Sequence, residues 1–241
     1  MTAVDPSPSP SPGPGHAPDH AAPAAPPAEP AADRFASPVP VANPALVGVP
    51  TFMVGSIALG LVLTGFVPST LAGAPIAIIA LATGMGQLVA MLFALRAGES
   101  AVASVFGIFG GFWLSYAALV LGILHNWYGL TVAGTSPAAA AATGDNILGA
   151  QKVFLLSWLI LIVLLTLVSL RLPLAFTVLF VLVDIALLFV YLGTVNASSA
   201  ETTTGGWFVF SFVAVGAYLF LDAMTAATGG NNLPLGPPVL R

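Results

Sequence analysis

The chain has 241 residues, of which 58% are hydrophobic and only 6% are charged. Soluble globular domains carry about 25% charged residues, so this composition predicts a polytopic membrane protein. The formal net charge of -4 is not informative by itself, but with only five Lys and Arg residues the basic footprint of nucleic-acid binding is missing. The chain contains no cysteine, which excludes disulfides, thiolate metal sites and cysteine nucleophiles.

The N-terminal stretch, residues 1–42, is rich in Pro, Ala and Ser. It carries few bulky apolar groups and cannot bury enough surface to offset its ordering entropy, so we expect a disordered cytoplasmic tail. His16 and His20 have a spacing seen in metal sites, but we interpret them as solvated tail residues. No metal and no cofactor are predicted.

Six apolar segments follow, and each reaches the ~20 residues that a helix needs to cross a bilayer. They cover residues 46–67, 74–95, 101–124, 147–170, 172–192 and 206–227. Their connections are short, except for residues 125–146, which we expect to hold a short re-entrant or surface piece. The predicted fold class is all-α, with six transmembrane helices over residues 43–230 and a short cytoplasmic C-terminal tail, residues 231–241.

The basic residues predict the orientation of the helices in the cell membrane. With the N-terminus inside, the cytoplasmic side holds four of the five basic residues: Arg34, Arg96, Arg171 and Arg241. Lys152 alone falls outside. Since cytoplasmic loops carry an excess of Lys and Arg, we expect both termini to lie in the cytoplasm.

Two carboxylates lie within the apolar segments. Asp184 is midway along the fifth, where an ionised carboxylate costs at least ~2.5 kcal/mol. Two interpretations stay open for it: proton coupling, and a hydrogen-bonded contact between helices. Asp222 lies near the cytoplasmic end of the sixth segment, where we favour a solvated helix-end residue over a proton relay.

The remaining polar groups give no catalytic constellation. His125 is the only histidine outside the tail, and there is no Ser-His-Asp grouping, zinc pattern or phosphate loop. No enzyme is therefore predicted. Gln87 follows Gly84 and Gly86, which allow another helix to approach closely, so its amide bonds either a neighbouring helix or a passing solute.

The segment Asn43-Pro44-Ala45, followed by Gly48 and Phe52, resembles the N-terminal signature of the acetate uptake transporter family, which includes bacterial succinate–acetate permeases. The family pattern reads Asn-Pro-Ala-Pro-Leu-Gly-Leu and then a Phe, and here a leucine replaces the second proline. Further resemblances follow in order along the chain: Gly86-Gln87, Phe109-Gly110-Gly111-Phe112-Trp113-Leu114, Gly206-Trp207, Ala217-Tyr218 and Leu233-Pro234-Leu235-Gly236.

The resemblance implies a channel-like six-helix bundle in an oligomeric ring, a hexamer, in which each protomer has a pore for small monocarboxylates such as acetate. In the family, a Phe, a Tyr and a Leu form an apolar constriction, and these positions match Phe52, Phe109 and Val183. Phe109 lacks the tyrosine hydroxyl and Val183 is shorter than leucine, which suggests a gate at least as apolar. Asp184, beside Val183, is not part of the family pattern.

We expect Asn43, Gln87 and helix-end amides to hold the carboxylate, because helix N-termini favour anions. Bare anion passage is costly where no cation lines the path, so the prediction is proton-linked transport of acetate and related small monocarboxylates, with succinate as a further candidate. The expected partners are the acid, protons, the lipid bilayer and further copies of the chain. Two alternatives stay open: a channel for small neutral solutes such as urea or short amides, and a non-transporting membrane scaffold that presents the proline-rich tail.

Overall fold

The structure is a computed structural model that describes residues 42–71 and 73–240. The predicted disordered tail lies outside the described residues, except for Ala42. Six helical spans are present: α1 Ala45–Leu63, α2 Ile78–Arg96, α3 Ser100–Leu124, α4 Pro137–Ser169, α5 Leu174–Val195 and α6 Ser199–Ala227. Each is long and apolar enough to cross a membrane, and the described part of the chain contains no strand. The predicted all-α class with six transmembrane helices is confirmed.

The helices pack as a ring in which α1 lies between α2 and α6, and α5 lies between α6 and α4. The α2–α3 pair is also closely packed, whereas α3 and α4 have few contacts. The space that matters for function lies inside this ring, and its core is rich in aromatic side chains from α1, α3, α5 and α6.

Small residues fix the position of α2. Its first part, Ile78–Gly84, is π-helical, and the regular α-helix begins at Met85. A Cβ on Gly84 would lie 2.7 Å from Leu114 Cδ2 of α3, and one on Gly86 would lie 2.5 Å from Thr51 Cγ2 of α1. A larger residue at either position would therefore separate α2 from a neighbour.

Helix α4 begins ten residues before the predicted segment, at Pro137. Ser136 is the N-cap, and its Oγ accepts a hydrogen bond from the Ala139 amide at 3.2 Å. Proline at the first helical position and the alanines after it favour this start. The re-entrant alternative is wrong, because residues 137–146 extend α4, whereas residues 131–136 are exposed and form a surface piece. In the same way Ser198 caps α6 and accepts a hydrogen bond from the Glu201 amide, so that helix starts seven residues early.

The C-terminal segment, residues 232–240, is docked on the bundle. The amides of Leu174 and Ala175, in the first turn of α5, donate to the carbonyls of Gly236 and Leu235 at 3.4 and 3.0 Å. The first amides of a helix have no partner within the helix, so these carbonyls satisfy them. Tyr218 of α6 donates its hydroxyl proton to the Pro234 carbonyl at 2.9 Å.

Candidate functional site

A cavity opens into the bundle at the side where α1 begins. It has a volume of about 600 Å³, and its walls come mainly from α1, α3, α4, α5 and α6. Its polar lining side chains are Asn43, Gln87, Glu99, Ser104, Ser169 and Asp222. We call it the first cavity. Among the described residues that line it, the charged side chains are two carboxylates, and no cation is present.

The second cavity lies toward the other side, between the later turns of α1, α3 and α5 and the early turns of α6. It has a volume of about 70 Å³. Aromatic residues dominate its wall: Phe52, Phe109, Phe112, Trp113, Tyr116, Phe154 and Phe212. The other nine lining residues are aliphatic, so a solute here would meet mostly apolar groups, and the one hydroxyl of the described wall belongs to Tyr116.

The boundary between the two cavities is an aromatic constriction. Phe52 and Phe109 line both cavities, are 6% and 5% exposed, and meet edge to face with ring centroids 5.0 Å apart. Phe180 stacks on Phe109 at 6.0 Å, and Phe212 lies 5.4 Å from Phe52. Edge-to-face and offset ring pairs are favourable, so these rings separate the two cavities without any polar group.

All three residues predicted for the gate reach this region. Phe52 and Phe109 form its centre, and Val183 of α5 lines the second cavity beside them. The sequence did not single out Phe180 and Phe212. Their role depends on which face of α5 and α6 meets α1 and α3, and the many phenylalanines of the chain carry no signal that separates these two.

The predicted carboxylate-holding residues line the first cavity, but their polar atoms are partly engaged within the protein. Gln87 is 1% exposed, and its Nε2 donates to the Gly48 carbonyl and, at 3.2 Å, to Thr51 Oγ1. Asn43 Oδ1 accepts from the Ala45 amide at 2.9 Å and so secures the start of α1. Since both Gln87 amide protons have acceptors on α1, the packing interpretation of this residue is favoured.

Asp184 lines neither cavity. Its Oδ2 lies 2.6 Å from Thr166 Oγ1 of α4, and the Thr166 hydroxyl is also 3.0 Å from the Ile162 carbonyl. Its other oxygen, Oδ1, is buried and has no partner among the described residues. The side chain therefore joins α5 to α4 rather than facing the path.

Asp222 is buried, at 9% exposed, and the expectation of a solvated helix-end residue is wrong. Its Oδ1 accepts from the Leu233 amide at 2.7 Å and from Asn232 Nδ2 at 3.3 Å. The C-terminal segment covers the end of α6 and withdraws this carboxylate from solvent. Asp222 thus anchors that segment at the wall of the first cavity.

A sequence profile of the GPR1/FUN34/yaaH family matches residues 28–234. The chain belongs to this family. The predicted resemblance to the acetate uptake transporter family is confirmed. The six-helix bundle described above is therefore the fold of a member of this family.

Two proteins named for acetate are similar to this GPR1/FUN34/yaaH member. Acetate permease A of Emericella nidulans is 28% identical over 162 residues, which are 66% of this chain and 51% of the permease. The chain thus matches about half the length of this curated relative. The solved structure of the bacterial acetate channel SatP matches with a TM-score of 0.66 at 23% identity, and covers 81% of this chain and 99% of SatP. The match to SatP shows a shared fold.

Proposed function

We propose that this membrane protein carries acetate and similar small monocarboxylic acids across the bilayer in a proton-linked manner. One observation carries the proposal: two cavities lie in line through the bundle and meet at the Phe52–Phe109 contact. An apolar constriction admits the methyl end of a small acid. The names of acetate permease A and of the acetate channel SatP support acetate as the solute.

The charges of the wall support proton linkage. Among the described residues that line the two cavities, none is Lys, Arg or His, and the charged ones are Glu99 and Asp222. Moving an unpaired carboxylate out of water is far more costly than moving a neutral polar group. The acid therefore crosses the constriction in its neutral form, which moves one proton with each molecule.

The two interpretations of Asp184 bear on how the proton travels. Its contact with Thr166 and its absence from both cavity walls support the helix contact. We therefore propose that the proton moves with the acid itself. Proton coupling through Asp184 stays a prediction, and replacing that carboxyl tests it.

A channel for small neutral solutes is the second candidate function, because the same uncharged constriction would admit urea or a short amide. Uptake of labelled acetate, lactate and succinate into proteoliposomes, with stopped-flow urea permeability measured on the same preparation, separates the two. We expect acetate uptake to be clearly higher in proteoliposomes than in empty liposomes, and urea permeability to be the same in both. Urea permeation without acetate uptake would contradict the acetate proposal.

A scaffold role is tested by removing the proline-rich tail. Deletion of residues 1–42 leaves every residue of the two cavity walls in place. We expect acetate uptake to survive the deletion. If the deletion variant keeps acetate uptake but loses a cellular phenotype, the tail has a separate role. If the full chain transports no acetate but still recruits a partner, the scaffold role is supported.

We also propose that both termini face the cytoplasm and that the protein assembles as a hexamer. The chain has no cysteine, so Asn231→Cys and Thr135→Cys each introduce a single thiol, on opposite sides of the bundle. An impermeant maleimide added to intact cells should label only the Thr135→Cys variant. Native mass spectrometry should give six chains, and labelling of the Asn231→Cys variant or a monomeric mass would contradict these proposals.

A further inference from the structure

We propose that the second cavity is a subsite for one neutral monocarboxylic acid, and that Tyr116 is the specificity-determining residue of this subsite. The inference rests on the proposed function and names its substrate class. Through its single hydroxyl, the subsite accepts one carboxyl group and excludes dicarboxylic acids such as succinate.

Tyr116 is the only residue of the second cavity wall, as described, whose side chain carries a hydroxyl. Trp113 contributes the other polar side-chain atom, but its Nε1 is fully buried and therefore not offered to the cavity. The Tyr116 hydroxyl makes no hydrogen bond with any residue in 42–71 or 73–240, and it is not among the fully buried polar atoms. A hydroxyl that has no hydrogen-bond partner beside a cavity is available to a solute.

The tyrosine ring is held in place by its neighbours. It stacks on Phe112 with ring centroids 6.3 Å apart and planes at 9°, and it lies 6.0 Å from the ring of Phe154. Both of these residues also line the cavity. The hydroxyl is therefore presented from a rigid aromatic wall, and placing it costs little further conformational entropy.

Tyr116 also follows the constriction on the same helix. It lies seven residues after Phe109 on α3, which is two helical turns and about 10 Å along the axis. A solute that has passed between Phe52 and Phe109 thus meets this hydroxyl next. No other polar side-chain atom is exposed in the described wall there.

The chemistry of the wall matches one neutral carboxyl group. A tyrosine hydroxyl both donates and accepts, and a protonated carboxyl offers a carbonyl acceptor and a hydroxyl donor. A second carboxyl on the same molecule would be buried without a partner, which disfavours binding by a factor on the order of ten or more. An ionised carboxylate would be disfavoured further, since no cation faces it in the described wall.

The size of the cavity leads to the same class of substrate. A water-sized group needs about 10–15 Å³ of such volume, so a cavity of about 70 Å³ holds about five to seven. Acetic and propionic acids have no more non-hydrogen atoms than that, whereas succinic acid has more. Both volume and polar matching therefore favour the short monocarboxylic acids.

The test compares Tyr116→Phe with Tyr191→Phe and the parent in proteoliposomes. Tyr191→Phe removes the same atom from α5, at a position that lines neither cavity. Initial rates of labelled acetate uptake at several concentrations give KM and the maximal rate, and thermal unfolding of each variant reports its stability. Succinate uptake by the parent is measured in parallel.

We expect Tyr116→Phe to raise the KM for acetate roughly two- to tenfold, with an unchanged midpoint of unfolding, and Tyr191→Phe to match the parent. We expect the parent to take up succinate at least tenfold more slowly than acetate. An unchanged KM in Tyr116→Phe, or succinate uptake by the parent equal to acetate uptake, would overturn this inference alone. A parent that moves no acetate would instead overturn the proposed function.

Discussion

Phe52 of α1 meets Phe109 of α3 edge to face, with ring centroids 5.0 Å apart and ring planes at 68°. Of the described residues, these two alone line both cavities. The path between the cavities is thus closed by one pair of side chains that offers no hydrogen bond to a passing solute. In the transport that we propose, a solute would have to displace a ring and give up its water there, which would favour small and uncharged molecules.

Replacement of Phe52 with Ala should widen the constriction. We expect the ratio of lactate uptake to acetate uptake to rise on the order of tenfold, since steric discrimination in an apolar pocket is of this size. The variant will also lose roughly 3–5 kcal/mol of stability, but a ratio of two rates does not depend on the amount of folded protein. Phe66→Ala is the control, because Phe66 is 76% exposed and lines neither cavity. Equal ratios in the two variants would rule out Phe52 as the gate.

Replacement of Gln87 with Glu should make the stability of the protein depend on pH. An ionised Glu offers only acceptors to the Gly48 carbonyl and to Thr51 Oγ1, whereas a protonated Glu restores one donor. The midpoint of thermal unfolding of Gln87→Glu should therefore fall, relative to the parent, as pH rises. Gln87→Met should lose about 1–3 kcal/mol at every pH. Parallel curves for Gln87→Glu and the parent would contradict the packing role.

Replacement of Asp184 with Asn distinguishes a helix contact from a proton relay. An amide can donate to Thr166 Oγ1 while the Thr166 hydroxyl donates to the Ile162 carbonyl, so the α4–α5 contact is kept. We expect Asp184→Asn to take up acetate like the parent and to respond equally to an imposed pH gradient. Thr166→Val, which leaves the carboxyl without its partner, should cost roughly 1–3 kcal/mol. Uptake that loses its response to the gradient in Asp184→Asn alone would establish the relay instead.

Replacement of Asp222 with Ala should release the C-terminal segment. The variant loses the acceptor for the Leu233 amide and for Asn232 Nδ2. Hydrogen exchange of a peptide covering residues 232–236 should speed up on the order of tenfold, the size expected for a charge-assisted hydrogen bond. Asp145→Ala removes an exposed carboxylate at the other side of the bundle and serves as the control. Unchanged exchange in Asp222→Ala would show that the remaining contacts suffice to hold the segment.

The six helices could be predicted because apolar runs of sufficient length have few other solutions in a bilayer. The starts of α4 and α6 were harder to predict from the sequence, because their first turns contain Ala, Thr and Gly rather than large apolar residues. Those turns depend on caps, Ser136 and Ser198, whose effect is visible only once the hydrogen bonds to the Ala139 and Glu201 amides are seen.

The residues of the candidate site likewise fall into those that the sequence predicted and those that it did not. Phe52, Phe109 and Val183 followed from a resemblance carried by local motifs. Phe180 contacts Phe109 between α5 and α3, and Phe212 contacts Phe52 between α6 and α1. No local pattern in the chain predicts these two contacts.

The surroundings of the two intramembrane carboxylates could not be predicted from the sequence either. Asp222 was expected in solvent because it lies near a helix end, but a segment ten residues later folds back over it. Asp184 could be weighed only as two alternatives, because its partner Thr166 lies on another helix.

Uptake of labelled acetate into proteoliposomes, with and without an imposed pH gradient that is acidic outside, tests the central claim most directly. After subtraction of passive diffusion into empty liposomes, proton-linked passage predicts acetate accumulation well above the level without a gradient. Protein-dependent uptake that is equal with and without the gradient would contradict proton-linked passage through the Phe52–Phe109 constriction.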